Sequence, residues 1–215
     1  FPFVGTIAYS SDKYWTTSSG SFKTYVPHNY LEEGEGYRYI YNNGSNAFIT
    51  FSGDATFTSN FLTSTSSSNY SYPKGGAIYN GNEGTITFDG NASFSGNSGT
   101  GSSGYAYGGA IYNDYGPIIF DGEASFIDNS VISIDSNGDV YGGAIHNEEG
   151  TITFDDVATF SGNSLTGDYA YGGAIHNEEG TITFDDIATF TDNSVTSGRY
   201  AYGGAIYNSG DRNTT

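Results

Sequence analysis

Acidic side chains recur at one position of this 215-residue sequence and are the first candidates for chemistry. Asp89, Asp121, Asp155 and Asp185 each follow the phenylalanine of a short strand-like segment. Carboxylates stacked in neighbouring strands repel one another, unless a cation lies between them or the side chains splay into solvent. Ca²⁺ is therefore a weak candidate ligand of these four residues. The alternative interpretation, which we favour, is that aspartate is present for turn geometry.

Two histidines, His146 and His176, lie 30 residues apart in nearly identical surroundings. Two imidazoles are a potential metal-binding pair. The equivalent position is a tyrosine elsewhere, which favours an outward-facing aromatic ladder over a metal site. Such a ladder would either stack on sugar rings and neighbouring chains, or only stabilise the sheet. Its other members are Tyr41, Tyr79, Tyr112 and Tyr207, beside the tyrosines Tyr107, Tyr141, Tyr171 and Tyr202.

The charged residues give little support to catalysis. A β-helix lyase needs a basic residue near acidic ligands, and a hydrolase needs an isolated pair of carboxylates. We place none of the six basic residues in a regular strand, and the carboxylates recur in every repeat instead of breaking its symmetry. We predict no enzyme activity and no catalytic residue, with a polysaccharide-active enzyme as a distant alternative. The basic residues are Lys13, Lys23, Arg38, Lys74, Arg199 and Arg212.

Two short elements alternate along the chain and must position all of these residues. Gly-Gly-Ala-Ile begins at Gly75, Gly108, Gly142, Gly172 and Gly203, so the period is 33, 34, 30 and 31 residues. Between them lies Phe-x-x-Asn, preceded six residues earlier by another phenylalanine in every copy. The short segments alternate with a period of two, which is typical of strands. Length varies only between the Asn and the next glycine pair, which predicts one free loop.

These features predict an all-β fold, a single-stranded parallel β-helix of about five to six coils with three short strands each. Identical side chains would then form columns along the axis. One Ile column and two Phe columns are expected inside, together with two ladders of stacked Asn amides. We assign residues 37–215 to this repeat domain. Residues 1–36 do not match the repeat and form an N-terminal cap or subunit-joining segment.

The Gly-Gly-Ala-Ile and Phe-x-x-Asn elements resemble the repeat of the chlamydial polymorphic outer membrane proteins and similar repeats in other surface proteins. The resemblance covers about residues 37–208 with five joint copies. It implies a right-handed β-helix displayed outside the cell, often as an adhesive passenger. It therefore implies secretion to the extracellular space or the cell surface.

The composition of the chain excludes several classes of partner and of site. A net charge of −18 argues against nucleic acid, and no apolar run is long enough for a membrane-spanning helix. The chain has no Cys, which excludes disulfides and thiolate metal sites, and no Met, so we expect a processed product or a fragment. No cofactor other than the weak Ca²⁺ candidate is predicted. Glycosylation candidates are the four sequons, Asn69 first, then Asn43, Asn91 and Asn213.

Both ends of a β-helix present strand edges that recruit other chains unless they are capped. We therefore predict a non-enzymatic secreted structural protein that stacks head-to-tail into an extracellular filament. An adhesin fragment that binds carbohydrate or a host or cell surface is the alternative. The assembly candidates are Phe1, Phe3, Val4, Ile7, Ile206, Tyr207 and Asn208.

Overall fold

A computed structural model describes residues 7–9, 14–17, 20–22, 35–37, 40–43, 47–64, 72–102, 104–135 and 137–210; up to residue 37, and at residue 43, it describes the backbone only. The described residues form β-strands and no helix, so the all-β prediction is confirmed. None of them belongs to a helix with the length and hydropathy of a membrane span. The strands form four sheets, which we call sheets A to D.

Sheets A and B contain the Thr-Ile-Thr-Phe and Ala-x-Phe segments of the repeat, respectively. Sheet A consists of β1 (Ile7–Tyr9), β2 (Tyr14–Thr17), β6 (Phe48–Phe51), β10 (Thr85–Phe88), β15 (Pro117–Phe120), β20 (Thr151–Phe154) and β24 (Thr181–Phe184). Sheet B consists of β3 (Gly20–Phe22), β7 (Ala55–Thr58), β11 (Ala92–Ser95), β16 (Ala124–Ile127), β21 (Ala158–Ser161) and β25 (Ala188–Thr191).

Sheets C and D flank the glycine pairs. Sheet C consists of β4 (Glu35–Tyr37), β8 (Phe61–Ser64), β12 (Ser98–Gly101), β13 (Ala106–Tyr107), β17 (Ser130–Ser133), β18 (Asp139–Tyr141), β22 (Ser164–Tyr171) and β26 (Ser194–Tyr202). Sheet D consists of β5 (Ile40–Asn43), β9 (Ile78–Gly81), β14 (Ile111–Asn113), β19 (Ile145–Asn147), β23 (Ile175–Glu178) and β27 (Ile206–Ser209).

The chain visits the sheets in the order D, A, B, C and then repeats the circuit, which makes a parallel β-solenoid. Four complete turns lie between Ile78 and Tyr202, and an earlier coil runs from β5 to β8. Neighbouring coils pair in parallel and residue for residue, so Ile145 lies beside Ile175 and Phe154 beside Phe184. This register places equivalent residues of the repeat in columns.

The expectation of three strands per coil was wrong, because the variable segment that we took for a loop forms sheet C. Some of its strands, such as Ser98-Gly99-Thr100-Gly101, carry only small and polar residues and show no hydrophobic alternation that would mark a strand. Parallel pairing with the coils on either side nevertheless satisfies their backbone groups. A bulge near Gly167 and Tyr169 between β22 and β26 absorbs an unequal length.

The predicted columns form the main core. Phe88, Phe120 and Phe154 stack at centroid distances of 4.7 and 4.8 Å and are fully buried. The second Phe column, which includes Phe126 and Phe160, meets the first edge to face at 5.7–6.3 Å. Because each ring contacts rings above, below and beside it, a small number of apolar residues fills the whole interior.

Sheet C adds a second, smaller core that the sequence did not reveal. It contains Val131, Val140, Leu165 and Ala170, each at most 1% exposed. Val131 lies on β17 and Val140 on β18, while Leu165 and Ala170 both lie on β22 in the next coil. The variable segment is therefore a packed part of the cross-section.

Candidate functional site

The glycine pair turns the chain from sheet C into sheet D, and both glycines are required. Gly142 has a φ of +62°, and a Cβ there would collide with the carbonyl oxygen of Ile145. At Gly143, a Cβ would collide with the carbonyl oxygen of Gly173 in the next coil. The first glycine thus permits the turn, and the second permits close stacking of one coil on the next.

Two internal amide ladders run along the axis and confirm the sequence prediction. In the first, Nδ2 of Asn147 donates to Oδ1 of Asn177 at 2.7 Å and to the carbonyl oxygen of Gly150 at 2.8 Å. The amide-to-amide bond recurs along the ladder, and the bond to a glycine carbonyl recurs at its four inner members. The ladder consists of Asn42, Asn80, Asn113, Asn147, Asn177 and Asn208. In the second ladder the Nδ2–Oδ1 distances are 2.8–3.0 Å, along Asn60, Asn97, Asn129, Asn163 and Asn193.

The sequence suggested an aromatic ladder that faces outward, but the inner part of this ladder is buried. Tyr112 and His146 are 0% exposed and His176 is 2% exposed, whereas Tyr41 at one end is 49% exposed. The reason is a second column on sheet C, which includes Tyr107 and covers the first. The signal for this layer was in the sequence, since a tyrosine precedes four of the glycine pairs.

The two aromatic columns stack within themselves and meet edge to face. Tyr107, Tyr141 and Tyr171 stack at 4.9 and 5.0 Å, with planes within 8° of each other. The rings of His146 and His176 stack at 4.9 Å and 20°, and the ring of Tyr141 lies 5.1 Å from that of His176. Sugar stacking needs a free ring face. The inner rings already use both faces on each other, so the geometry favours stabilisation of the sheet.

The electrostatics of this layer follow from burial. Burial lowers the pKa of His176 to about 3, and burial together with His176 and Lys74 lowers that of His146. Burial, with the nearby Asp139, raises the pKa of Tyr171 to about 12. Both imidazoles are therefore neutral at pH 7, and their unprotonated ring nitrogens can accept a hydrogen bond or bind a metal.

A polar cluster surrounds the two buried histidines and reaches the surface at Glu178. The Nδ1 atoms of His146 and His176 lie 2.9 Å apart, close enough for one to donate to the other. A carboxylate oxygen of Glu178 completes a group of three potential metal ligands whose donor atoms all lie within 4.8 Å of one another. In the preceding coil, Tyr112 donates to Glu148 and accepts from Nζ of Lys74 at 2.7 Å.

One basic residue lies where we did not expect it. Arg199 is inside β26, so the statement that the strands contain no basic residue was wrong. Its Nε lies 3.3 Å from Oδ2 of Asp168, whose side chain is 6% exposed. The ion pair compensates a carboxylate that sheet C buries against the second core.

The calcium candidates Asp89, Asp121, Asp155 and Asp185 occupy exposed turn positions of consecutive coils. Burial and the charges of Asp155 and Asp89 raise the pKa of Asp121, as expected for carboxylates one coil apart.

Among the glycosylation candidates, Asn91 is exposed, and its Oδ1 accepts a hydrogen bond from the backbone N–H of Glu123. Asn43 ends β5, while Asn69 and Asn213 lie outside the described residues. Ca²⁺ binding and glycosylation stay predictions.

The assembly candidates fall in two places. Ile206, Tyr207 and Asn208 lie on β27, where Ile206 is 42% exposed and Asn208 accepts the last bond of its ladder from Asn177. Ile7 begins β1, which pairs antiparallel with β2. Phe1, Phe3 and Val4 lie outside the described residues.

The four parallel sheets, the paired glycines and the internal amide ladders place this chain in the class of parallel β-solenoid repeat proteins. Residues 187–209 match the family model of the Chlamydia polymorphic membrane protein repeat. This stretch spans Phe190-x-x-Asn193 and Gly203-Gly204-Ala205-Ile206, which pair in register with their equivalents in the preceding coil. This match and the parallel solenoid together fit a β-helix with repeats of the polymorphic membrane protein type. Comparisons with curated proteins and with solved structures gave no match.

Proposed function

We propose that this chain is a non-enzymatic structural protein of the cell surface or extracellular space, and that its coils join end to end with those of another copy. The observation that carries the proposal is the coil of residues 175–210. In the described part of the chain, each of its strands β24, β25, β26 and β27 pairs with a neighbour on one side only. Four parallel edges at one end offer backbone donors and acceptors to another chain.

The apolar interior is open at the same end. Phe154 and Phe160 are 0% exposed, whereas their equivalents Phe184 and Phe190 in the 175–210 coil are only half-buried. Asn177 and Asn208 line a cleft of about 350 Å³ together with Phe184. One further coil in register would bury the phenylalanines and extend the amide ladders.

The opposite end can supply such a coil in part. Among the described strands, β5 of sheet D and β3 of sheet B each have one neighbour, whereas sheets A and C end on antiparallel strands, β1 and β4. A copy that pairs its β5 with β27, and its β3 with β25, would continue both sheets in parallel. Such a contact uses different surfaces on the two partners, and it produces a filament when it does not close into a ring.

Gly204 offers a sharp test, because it is the second glycine of its pair. Equivalent glycines, such as Gly173, cannot carry a Cβ, since the backbone of the next coil lies too close. At Gly204 nothing lies within 4 Å of the position that a methyl group would occupy. Gly204→Ala should therefore leave the monomer folded but prevent a further coil from stacking.

The measurement is negative-stain microscopy with sedimentation velocity on the purified chain. Filaments are expected from the unmodified chain and from the control Gly99→Ala, whose Cβ would meet Pro73 at an ordinary 3.7 Å. Short or absent filaments are expected from Gly204→Ala. Monodisperse monomers of the unmodified chain at high concentration, or filaments that Gly204→Ala leaves intact, would overturn end-to-end joining.

A surface adhesin is the second candidate function, and the polymorphic membrane protein repeat at residues 187–209 favours it. An adhesin would bind as a single molecule through its outer faces. Adhesion to cells or to an immobilised glycan panel by Gly204→Ala, at the level of the unmodified chain, would support this function. Adhesion that disappears together with the filaments would favour a role for the assembly.

A further inference from the structure

We propose that His146, His176 and Glu178 form a binding site for a late first-row divalent metal ion, represented by Zn²⁺. Two imidazoles and one carboxylate are a donor set that suits Zn²⁺, Cu²⁺ and Ni²⁺ better than Ca²⁺ or Mg²⁺. The three residues come from two consecutive coils, since His146 lies on β19 and the other two lie on β23.

The separation of the two imidazole nitrogens fits such an ion. With metal–nitrogen bonds of about 2.0–2.1 Å, two nitrogens lie about 2.9 Å apart at the right angle of a square-planar or octahedral site and about 3.3–3.4 Å apart on a tetrahedral Zn²⁺, which would require a separation about 0.4 Å wider than the pair has now. The Nδ1 atoms of His146 and His176 are 2.9 Å apart. Without a metal, Nδ1–H of one ring donates a hydrogen bond to Nδ1 of the other. An ion bound at both Nδ1 atoms requires both rings to carry their proton on Nε2, so the donor ring changes tautomer.

The environment favours a cation on the side of Glu178. Glu178 is close enough to Glu148 for their charges to interact, so two carboxylates flank the imidazole pair. Nζ of Lys74 lies 4.3 Å from the ring centroid of Tyr112, and Tyr112 is one coil away from His146 and two from His176. A cleft of about 360 Å³, lined by Tyr141, Tyr171, His176 and Glu178, leads to the site from solvent.

The histidines differ from the tyrosines of the same column in what they place together. A tyrosine in this column places its hydroxyl further out, where Tyr112 reaches both Lys74 and Glu148. His146 and His176 instead place two imidazole nitrogens side by side, which is the arrangement that a shared metal ion needs. Nε2 of His146 is buried and has no hydrogen-bond partner, and it would carry the ring proton when Nδ1 binds the ion.

The test is calorimetric titration of the full chain with ZnCl₂ in excess CaCl₂, which occupies the exposed carboxylates without competing for imidazole. We expect one Zn²⁺ per chain and a higher melting temperature, because the ion links two coils. His176→Tyr should lose the site, and it should fold because tyrosine occupies this column in other coils. Glu178→Gln should weaken binding at least tenfold, and the matched control Glu179→Gln should change it less than twofold.

Cobalt gives an independent readout, because its visible absorption reports imidazole ligands. Co²⁺ added to the unmodified chain should produce a band that Zn²⁺ displaces and that His176→Tyr lacks. No saturable binding by the unmodified chain would overturn the proposal. So would equal Zn²⁺ affinity of the unmodified chain and His176→Tyr, since the surface carboxylates or His28 would then be responsible.

Discussion

Asn147 and Asn177, 30 residues apart in the sequence, are joined by a 2.7 Å hydrogen bond inside the solenoid. Asn147 also receives a bond from Nδ2 of Asn113 at 2.7 Å and donates to the carbonyl oxygen of Gly150. Each amide therefore closes the turn of its own coil and links that coil to both neighbours. This double role explains why asparagine, and no apolar residue, occupies a core position in every coil.

Replacement of Asn147 by leucine should destabilise the protein strongly at nearly constant volume. It would leave Oδ1 of Asn177 without a partner, and it would remove one of the two hydrogen bonds made by Nδ2 of Asn113 and by the carbonyl oxygen of Gly150. We expect a loss of at least about 3 kcal/mol in the free energy of unfolding by urea. The exposed control Asn137→Leu should change it by less than about 0.5 kcal/mol, and equal effects would contradict the ladder's structural role.

The second glycine of each pair should show a strong position dependence. Gly173→Ala would press a methyl group into the backbone of Gly204, and we expect a cost of about 1–3 kcal/mol. Gly204→Ala meets nothing within 4 Å, so under conditions that keep the chain monomeric its effect should be neutral or slightly stabilising. Thermal unfolding of both variants at low concentration is the measurement, and a large loss for Gly204→Ala would be inconsistent with this geometry.

Phenylalanine truncation should cost more inside the stack than at its end. Phe154 lies between Phe120 and Phe184, at 4.8 and 5.0 Å, and is fully buried. Phe154→Ala should therefore cost about 3–5 kcal/mol. Phe184→Ala, where one face is open and the ring is half-buried, should cost roughly half as much. Chemical denaturation distinguishes the two; a Phe184→Ala variant at least as unstable as Phe154→Ala would show that this face is covered in solution.

The histidine pair should make stability depend on pH in the absence of metal. The folded-state pKa of His176 is about 3, below the value near 6.5 of an unfolded histidine, and that of His146 is lowered too. Below pH 6.5 the unfolded chain binds more protons, so stability is full above that pH and falls as the pH decreases. The slope is about 1.4 kcal/mol per pH unit for each imidazole that stays neutral.

The measurement compares the unmodified chain with the double variant His146→Tyr/His176→Tyr in EDTA at pH 7 and pH 5. Burial raises the pKa values of Asp114 and Asp139, which stabilises the folded state as these groups take up protons. Both proteins share that contribution, so their difference isolates the histidines. Parallel stability profiles between pH 7 and pH 5 would show that the imidazoles are already solvated in the folded protein.

The repeat arithmetic predicted the coil, the two Phe columns and both amide ladders, because columns require only that equivalent residues recur. Sheet C escaped prediction, since a strand such as Ser98–Gly101 is stabilised by pairing with its neighbours and has little hydrophobic pattern of its own. The burial of His146 and His176 escaped for a related reason. It depends on the column of Tyr107, Tyr141 and Tyr171, which an apolar-alternation argument assigns to the surface.

Because neighbouring coils pair residue for residue, the number of coils can change without changing the contacts that stabilise each coil. Residues 142–154 and 172–184 are identical, and β19 and β20 pair in register with β23 and β24. Removal of the 30 residues from Ile145 to Ala174 would place Ile175 where Ile145 stood and preserve every type of contact between coils. Unequal recombination between such repeats would then yield longer or shorter rods that fold without compensating mutations.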